Sequence, residues 1–138
     1  MTTTTSRFLV QVQFGDCDPA GIVFFPNFAR WMDASSLHFF RTCGVPRWHQ
    51  IDDPVGVVGT PVLEVRIRFL QSATYGEELQ VHTSIEDWQA KVFVHRHRVM
   101  RGETLICEAD ETRAFCIRNA EGQLKAAPIP AWLRERCQ

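Results

Sequence analysis

The segment from about Pro26 to Thr42 restricts the fold more than any other part of the chain. Phe28, Trp31, Met32, Ser35 and Phe39 recur at helical spacing, and Phe25, Ala29, Ser36 and Phe40 widen the stripe. Only Arg30, Asp33, Leu37 and Arg41 form a partly polar strip. A helix that is apolar around most of its circumference is buried on several sides. Pro26 suits a first helical position, and Gly44 and Pro46 supply the stop.

Everything that follows the helix and the loop containing Trp48 reads with period two. Leu63, Val65, Ile67 and Phe69 alternate with Glu64, Arg66 and Arg68, which predicts a half-buried strand with one polar face. A turn at Tyr75-Gly76 leads to a second alternation through Leu79, Val81, Thr83 and Ile85. A third strand runs from about Val92 to Met100, with a hairpin turn at Arg101-Gly102-Glu103, and a fourth from about Leu105 to Ile117. Phe8, Val10 and Val12 mark one more strand ahead of the helix, and Pro130 to Arg134 suits a short closing helix. Short turns make neighbouring strands antiparallel. The fold class is therefore α+β, a five-stranded antiparallel sheet wrapped around one long central helix. Five strands cannot enclose the helix and also hide their own edges, so a homo-oligomer is expected.

The 138 residues suit a single domain spanning 1–138. With 15 basic and 16 acidic residues the net charge is −1, which gives no electrostatic reason to expect a nucleic acid or a membrane surface as partner. The first residues lack a basic start and an apolar run, and no stretch is long enough to span a bilayer. Five cysteines, odd in number and widely spaced, read as reduced thiols, so the expected location is cytoplasmic.

The loop Gly15-Asp16-Cys17-Asp18-Pro19-Ala20-Gly21 is the sharpest candidate for chemistry. Taken alone, two Asp residues in such a loop are ordinary turn or cap residues. Here they lie between a core strand and the most buried helix, where a charge is costly unless used or paired. The free N–H groups of the helix start point to the same region. Those parts suit acyl transfer: N–H groups at a helix N-terminus stabilise an oxyanion, and a carboxylate attacks a carbonyl or deprotonates a water that does. The sequence has no HExxH, no GxSxG elbow, no GxGxxG and no P-loop, so no metal or cofactor is expected. His95 and His97 share one strand face; they read as polar positions on an exposed face or at a subunit contact, with no third ligand at matching spacing.

From GDCDPAGIV through Pro26-Asn27 to the aromatic-rich helix with Arg30, Trp31 and Asp33, the chain resembles the 4-hydroxybenzoyl-CoA thioesterase family. The resemblance continues through Cys43-Gly44, Pro46, Trp48 and Val58-Gly59-Thr60-Pro61, and returns at Asp87-Trp88, Lys91 to His97 and Ala109-Asp110-Glu111. It implies the hot-dog fold, a tetramer built from two dimers, and an acyl-CoA substrate. By position, Asp18 matches the family's catalytic carboxylate, as nucleophile or general base. The Phe25 backbone N–H matches the donor to the thioester carbonyl; the family has Tyr there, but only the main chain is needed. Asp33 matches a carboxylate that meets the ring hydroxyl. Trp48 and Thr60 match residues lining the acyl pocket, from the same subunit or across a subunit boundary. Of the family's basic cluster for the CoA phosphates, Gln89-Ala90-Lys91 keeps only Lys91.

The expected reaction is hydrolysis of an aromatic acyl-CoA. A short-chain aliphatic acyl-CoA thioesterase is the second reading, and a non-catalytic acyl-CoA binding module the third.

Overall fold

The computed structural model describes residues 3–51 and 56–138. In chain order the elements are β1 (Ser6–Gln11), α1 (Pro26–Thr42), β2 (Val57–Gly59), β3 (Val62–Phe69), β4 (Glu78–Trp88), β5 (Val92–Arg101), β6 (Thr104–Ala114), β7 (Cys116–Arg118), β8 (Leu124–Ala126) and α2 (Ala131–Cys137). The main sheet is antiparallel throughout, in the order β1-β4-β5-β6-β3. These are the five strands the alternation predicts, and the chain has the hot-dog arrangement of one long helix against one antiparallel sheet. The β5–β6 hairpin closes Arg101 onto Thr104 over Gly102, whose φ is 60°. A positive φ at the first of two loop residues is the place a type II′ turn reserves for glycine.

The helix buries Phe28, Trp31, Met32, Ser35, Ser36, Phe39 and Phe40, a repeat of three and four residues that forms one continuous stripe. Its last turn closes as a Schellman motif. Val45 N–H donates to the Phe40 carbonyl (2.9 Å) and Gly44 N–H to Arg41 (3.0 Å), with Gly44 at φ 79°. Two apolar clusters result. One packs Phe28, Trp31 and Met32 against Val81, Val99 and Ile106; the other packs Phe39 and Phe40 against Phe93, Phe115 and Leu133.

Four sequence expectations change. Burial of α1 is one-sided: Asp33, Ala34 and Leu37 lie on the open side, Leu37 46% exposed, because the sheet reaches only one stripe. Strand β3 is not half-buried; Leu63, Val65 and Phe69 are 62%, 41% and 49% exposed, because β3 is a sheet edge that α1 meets mainly at its end, through Phe28 against Phe69. The run from Leu105 to Ile117 is broken at Phe115, and its tail, β7, joins a second sheet in the order β2-β7-β8. Finally, His95 and His97 are not on an exposed face. Both are fully buried, because they share strand parity with Phe93 and Val99, which are fully buried too.

Candidate active site

The Asp-x-Asp loop folds as a tight hairpin, with Cys17 bridged to Val23. Asp16 organises it. One carboxylate oxygen accepts the Gln13 N–H (2.8 Å), the other accepts Arg30 Nη2 (3.0 Å), and its carbonyl accepts Phe24 N–H (2.9 Å) and Asn27 Nδ2 (2.7 Å). Asp16 thus ties the loop to the first turn of α1, the holding role its position suggests. Cys17 is committed as well, its Sγ donating to the Gln13 carbonyl at 3.8 Å.

Asp18 is half-buried at the hairpin tip. Its main chain closes the turn, donating to the Ile22 carbonyl (2.9 Å) and accepting from Gly21 N–H (2.9 Å), with Gly21 at φ 82°. Its Oδ1 accepts the Ala20 N–H at 2.8 Å. Oδ2 has no hydrogen-bond partner among the described residues. One oxygen fixes the side chain and the other is unengaged.

Phe25 is the N-cap of α1. Its carbonyl accepts Phe28 N–H (3.2 Å), but its own N–H donates to nothing among the described residues. An unpaired N–H at the positive end of a 17-residue helix is the kind of donor that suits an anionic oxygen. Phe25, 63% exposed, lines a cleft of about 300 Å³ with Ile22, Phe28, Phe69 and Ala73. The Asp18 hairpin therefore forms one rim of an apolar cleft at the helix start.

Asp33, Trp48 and Thr60 do come together, but elsewhere. They line a second cleft of about 380 Å³ with Ser36, Leu37 and Arg113. Phe25 and Asp33 are eight positions apart on α1, about 12 Å along its axis. Within one chain the two groups of candidates are therefore separated by more than two helical turns. Lys91 joins neither cleft; it is exposed in the turn between β4 and β5. Arg134 of α2 also touches that turn; it donates to the Gln89 carbonyl and stacks 5.4 Å from the Trp88 ring.

Sequence reasoning missed what stands behind the second cleft. Glu111 (4% side-chain exposure) and Arg113 (6%) form a buried ion pair at 2.6 Å, and Arg113 Nη2 reaches Asp33 at 2.8 Å. His97 Nε2 lies 2.9 Å from the same Glu111 oxygen. His95, His97 and Glu111 bring three donor atoms within 4.8 Å of one another, so a third partner for the histidines exists, supplied by the neighbouring strand. Burial alone would raise the Glu111 pKa, but hydrogen bonds from His97 and Arg113 outweigh it and hold the carboxyl below its usual range. Burial, then repulsion from His97 and Arg113, pushes His95 well below the ordinary histidine value. The signal that was available is parity: Glu111 and Arg113 are charged residues at alternate positions of a strand that also carries buried Cys107 and Ala109.

The five cysteines are free thiols, and burial pushes Cys107 up to about 12. No helix among the described residues is long and apolar enough to cross a membrane.

The family model of the thioesterase-like superfamily matches residues 12–137. The 4-hydroxybenzoyl-CoA thioesterase of Pseudomonas sp. (strain CBS-3) is 43% identical over 132 residues, covering 92% of this chain and 93% of that protein. A solved structure of a 4-hydroxybenzoyl-CoA thioesterase Asp-to-Asn mutant, complexed with 4-hydroxybenzoyl-CoA, superposes with a TM-score of 0.91 at 39% identity, over 97% of this chain and 99% of that one. A gentisyl-coenzyme A thioesterase superposes with a TM-score of 0.82 at 29% identity, over 96% of this chain and 100% of that one.

Proposed function

The chain belongs to the thioesterase-like superfamily and is a thioester hydrolase; from that premise we propose that it hydrolyses 4-hydroxybenzoyl-CoA or a close benzoyl-CoA analogue to the free acid and CoA. The observation that carries the reading is the unpaired Phe25 N–H at the start of α1, beside a hairpin whose Asp18 keeps one oxygen open. The thioester carbonyl accepts from Phe25 N–H. As Asp18, or a water it deprotonates, attacks the carbonyl carbon, charge moves onto that oxygen, where the N–H and helix dipole stabilise it. Collapse expels CoA as thiolate, a good leaving group. If Asp18 attacks directly, water then cleaves the mixed anhydride; if Asp18 acts as base, the acid forms in one addition–elimination.

The separation of Phe25 from Asp33 bears on assembly. Phe25 lines one cleft of the chain and Asp33 another, more than two helical turns away, which supports a site that a second chain completes. Two copies joined along the open edge of β3, with its exposed Leu63, Val65 and Phe69, offer the Asp33, Trp48 and Thr60 cleft of one protomer to the Asp18 hairpin of the other. Two such dimers would complete a tetramer, each chain a single thioesterase domain. Lys91, with Arg134 beside the same turn, supplies the cations for the CoA phosphates in this reading. The free thiols suit a cytoplasmic location.

The experiment is thioester hydrolysis, followed with a thiol reagent that reports released CoA, on benzoyl-, 4-hydroxybenzoyl-, acetyl- and hexanoyl-CoA. Aryl substrates are expected to be preferred. Asp18→Asn should lose about 10³-fold in kcat, roughly 4 kcal/mol of barrier. Phe25→Pro removes the N–H at a φ of −54°, which proline adopts, and should lose kcat by about 10²-fold. Phe25→Tyr should keep it. Preference for hexanoyl-CoA would replace the aryl reading with the aliphatic one, and a folded protein inert on all four would leave a binding module.

A further inference from the structure

The acyl cleft is backed by a chain of hydrogen bonds that leaves α1 and returns to it. Ser35 Oγ lies 2.7 Å from Thr83 Oγ1, which lies 2.7 Å from His97 Nδ1. His97 Nε2 lies 2.9 Å from Glu111 Oε1; Arg113 Nε donates to that oxygen at 2.6 Å, and Arg113 Nη2 donates to Asp33 Oδ1 at 2.8 Å. The carboxylate of Glu111 only accepts. In the neutral imidazole, Nε2 of His97 therefore carries the proton, Nδ1 accepts from Thr83, and Thr83 accepts from Ser35.

Arg113 is the branch point. Its third nitrogen, Nη1, donates to the Thr60 carbonyl at 2.7 Å. One buried guanidinium thus fixes Asp33 on α1, the Thr60 main chain ahead of β3, and Glu111 on its own strand. The Asp33 side chain is 71% exposed, and its Oδ2 has no hydrogen-bond partner among the described residues. A free Asp on an open helix face samples several rotamers, whereas one gripped at Oδ1 is restricted to those that keep the grip, on the wall of the cleft it lines.

We propose that Arg113 is the positioning residue that gives the acyl cleft its selectivity for a ring hydroxyl: it grips Asp33 Oδ1 so that Oδ2 stands ready to accept the substrate's O–H. The inference rests on the aryl-CoA reading above and adds to it the source of discrimination between hydroxylated and bare rings. Glu111 and His97 hold the guanidinium fork in the plane this grip needs. A lysine has no such fork and cannot reach three acceptors at once.

The test compares kcat and KM for 4-hydroxybenzoyl-CoA and benzoyl-CoA in the wild type, Arg113→Lys, Asp33→Ala and the double variant. Arg113→Lys is expected to lower the ratio of the two kcat/KM values about tenfold or more, chiefly through KM for the hydroxylated ester. In the Asp33→Ala background the same change should leave the ratio where it is, because the effect passes through Asp33. If Arg113→Lys does not fold, Glu111→Gln with Arg113→Met removes both charges and should show the same ratio loss. Equal losses on both esters, an unchanged ratio in a folded variant, or an undiminished effect without Asp33 would each overturn the proposal. So would a wild type that turns over both esters without preferring the hydroxyl, which leaves the aryl-CoA reading standing. A wild type inert on both sinks the aryl-CoA reading and this inference with it.

Discussion

Asp18 and His95 show opposite ways in which a sequence reveals a polar residue. Asp18 was legible because it stands in a loop beside a helix start, and loop carboxylates near buried structure require an explanation. His95 was misread because its flanking pattern, Val-His-Arg-His-Arg, looks like a polar strand face. The parity of Phe93 and Val99 carried the correct assignment. Three aromatic rings, Phe39, Phe40 and Phe93, surround His95 with centroids 4.9 to 5.3 Å away. Ser36 Oγ lies 2.8 Å from Nδ1, and Nε2 has no partner among the described residues. With its folded pKa depressed, His95 stays neutral in the native protein while the unfolded chain takes up a proton below about 6.5. The unfolded state then binds more protons, so stability is whole above that value and falls as pH drops below it, by up to about 1.4 kcal/mol per pH unit. Urea midpoints measured from pH 7.5 to 5 should fall, and His95→Gln, which keeps a partner for Ser36, should flatten the slope. A slope unchanged by that substitution would place the proton uptake elsewhere. Glu111, held low by His97 and Arg113, acts in a separate window, below 4.5.

At the scale of elements, α1 and the five long strands were legible because each repeats its period over eight or more residues or, for β1, over a clean short alternation. The second sheet was not: β2, β7 and β8 have three residues each, too few to show a period. Yet this small sheet shapes the second cleft, through Gly59 at the end of β2. Gly59 sits at φ 140°, and a Cβ there would lie 3.2 Å from Trp48 Cδ1. Gly59→Ala should therefore cost about 1–3 kcal/mol of stability and displace Trp48 from the cleft wall. A lower melting temperature, a shifted tryptophan emission and a raised KM for aryl-CoA esters are the expected readings. Normal emission with normal KM would remove Trp48 from the acyl cleft.

For the whole molecule, the candidates Asp18 and Asp33 were each visible in sequence, but their separation was not, because spacing along a chain does not report which subunit completes a site. If sites form between protomers, two crippled chains should restore one another. Asp18→Asn mixed with Asp33→Ala under conditions of subunit exchange should regain activity on 4-hydroxybenzoyl-CoA beyond the sum of the two alone. Val65→Lys, which places a charge on the open edge of β3, should give a monomer by sedimentation and abolish turnover. Activity in a proven monomer would refute the shared site.

The closed circuit of bonds from Ser35 to Asp33 also limits how the protein can change its diet. Its members lie on α1, β4, β5 and β6, and removing one charge of the buried pair strands the other, at about 3–5 kcal/mol. A lineage adapting to a differently decorated ring would cross a fitness valley if it began with Glu111 or Arg113. Exchanges at Leu37, which is 46% exposed and stands outside the circuit, cost far less. Drift in substrate range should therefore accumulate around the rim of the pocket, while its floor is inherited as a block.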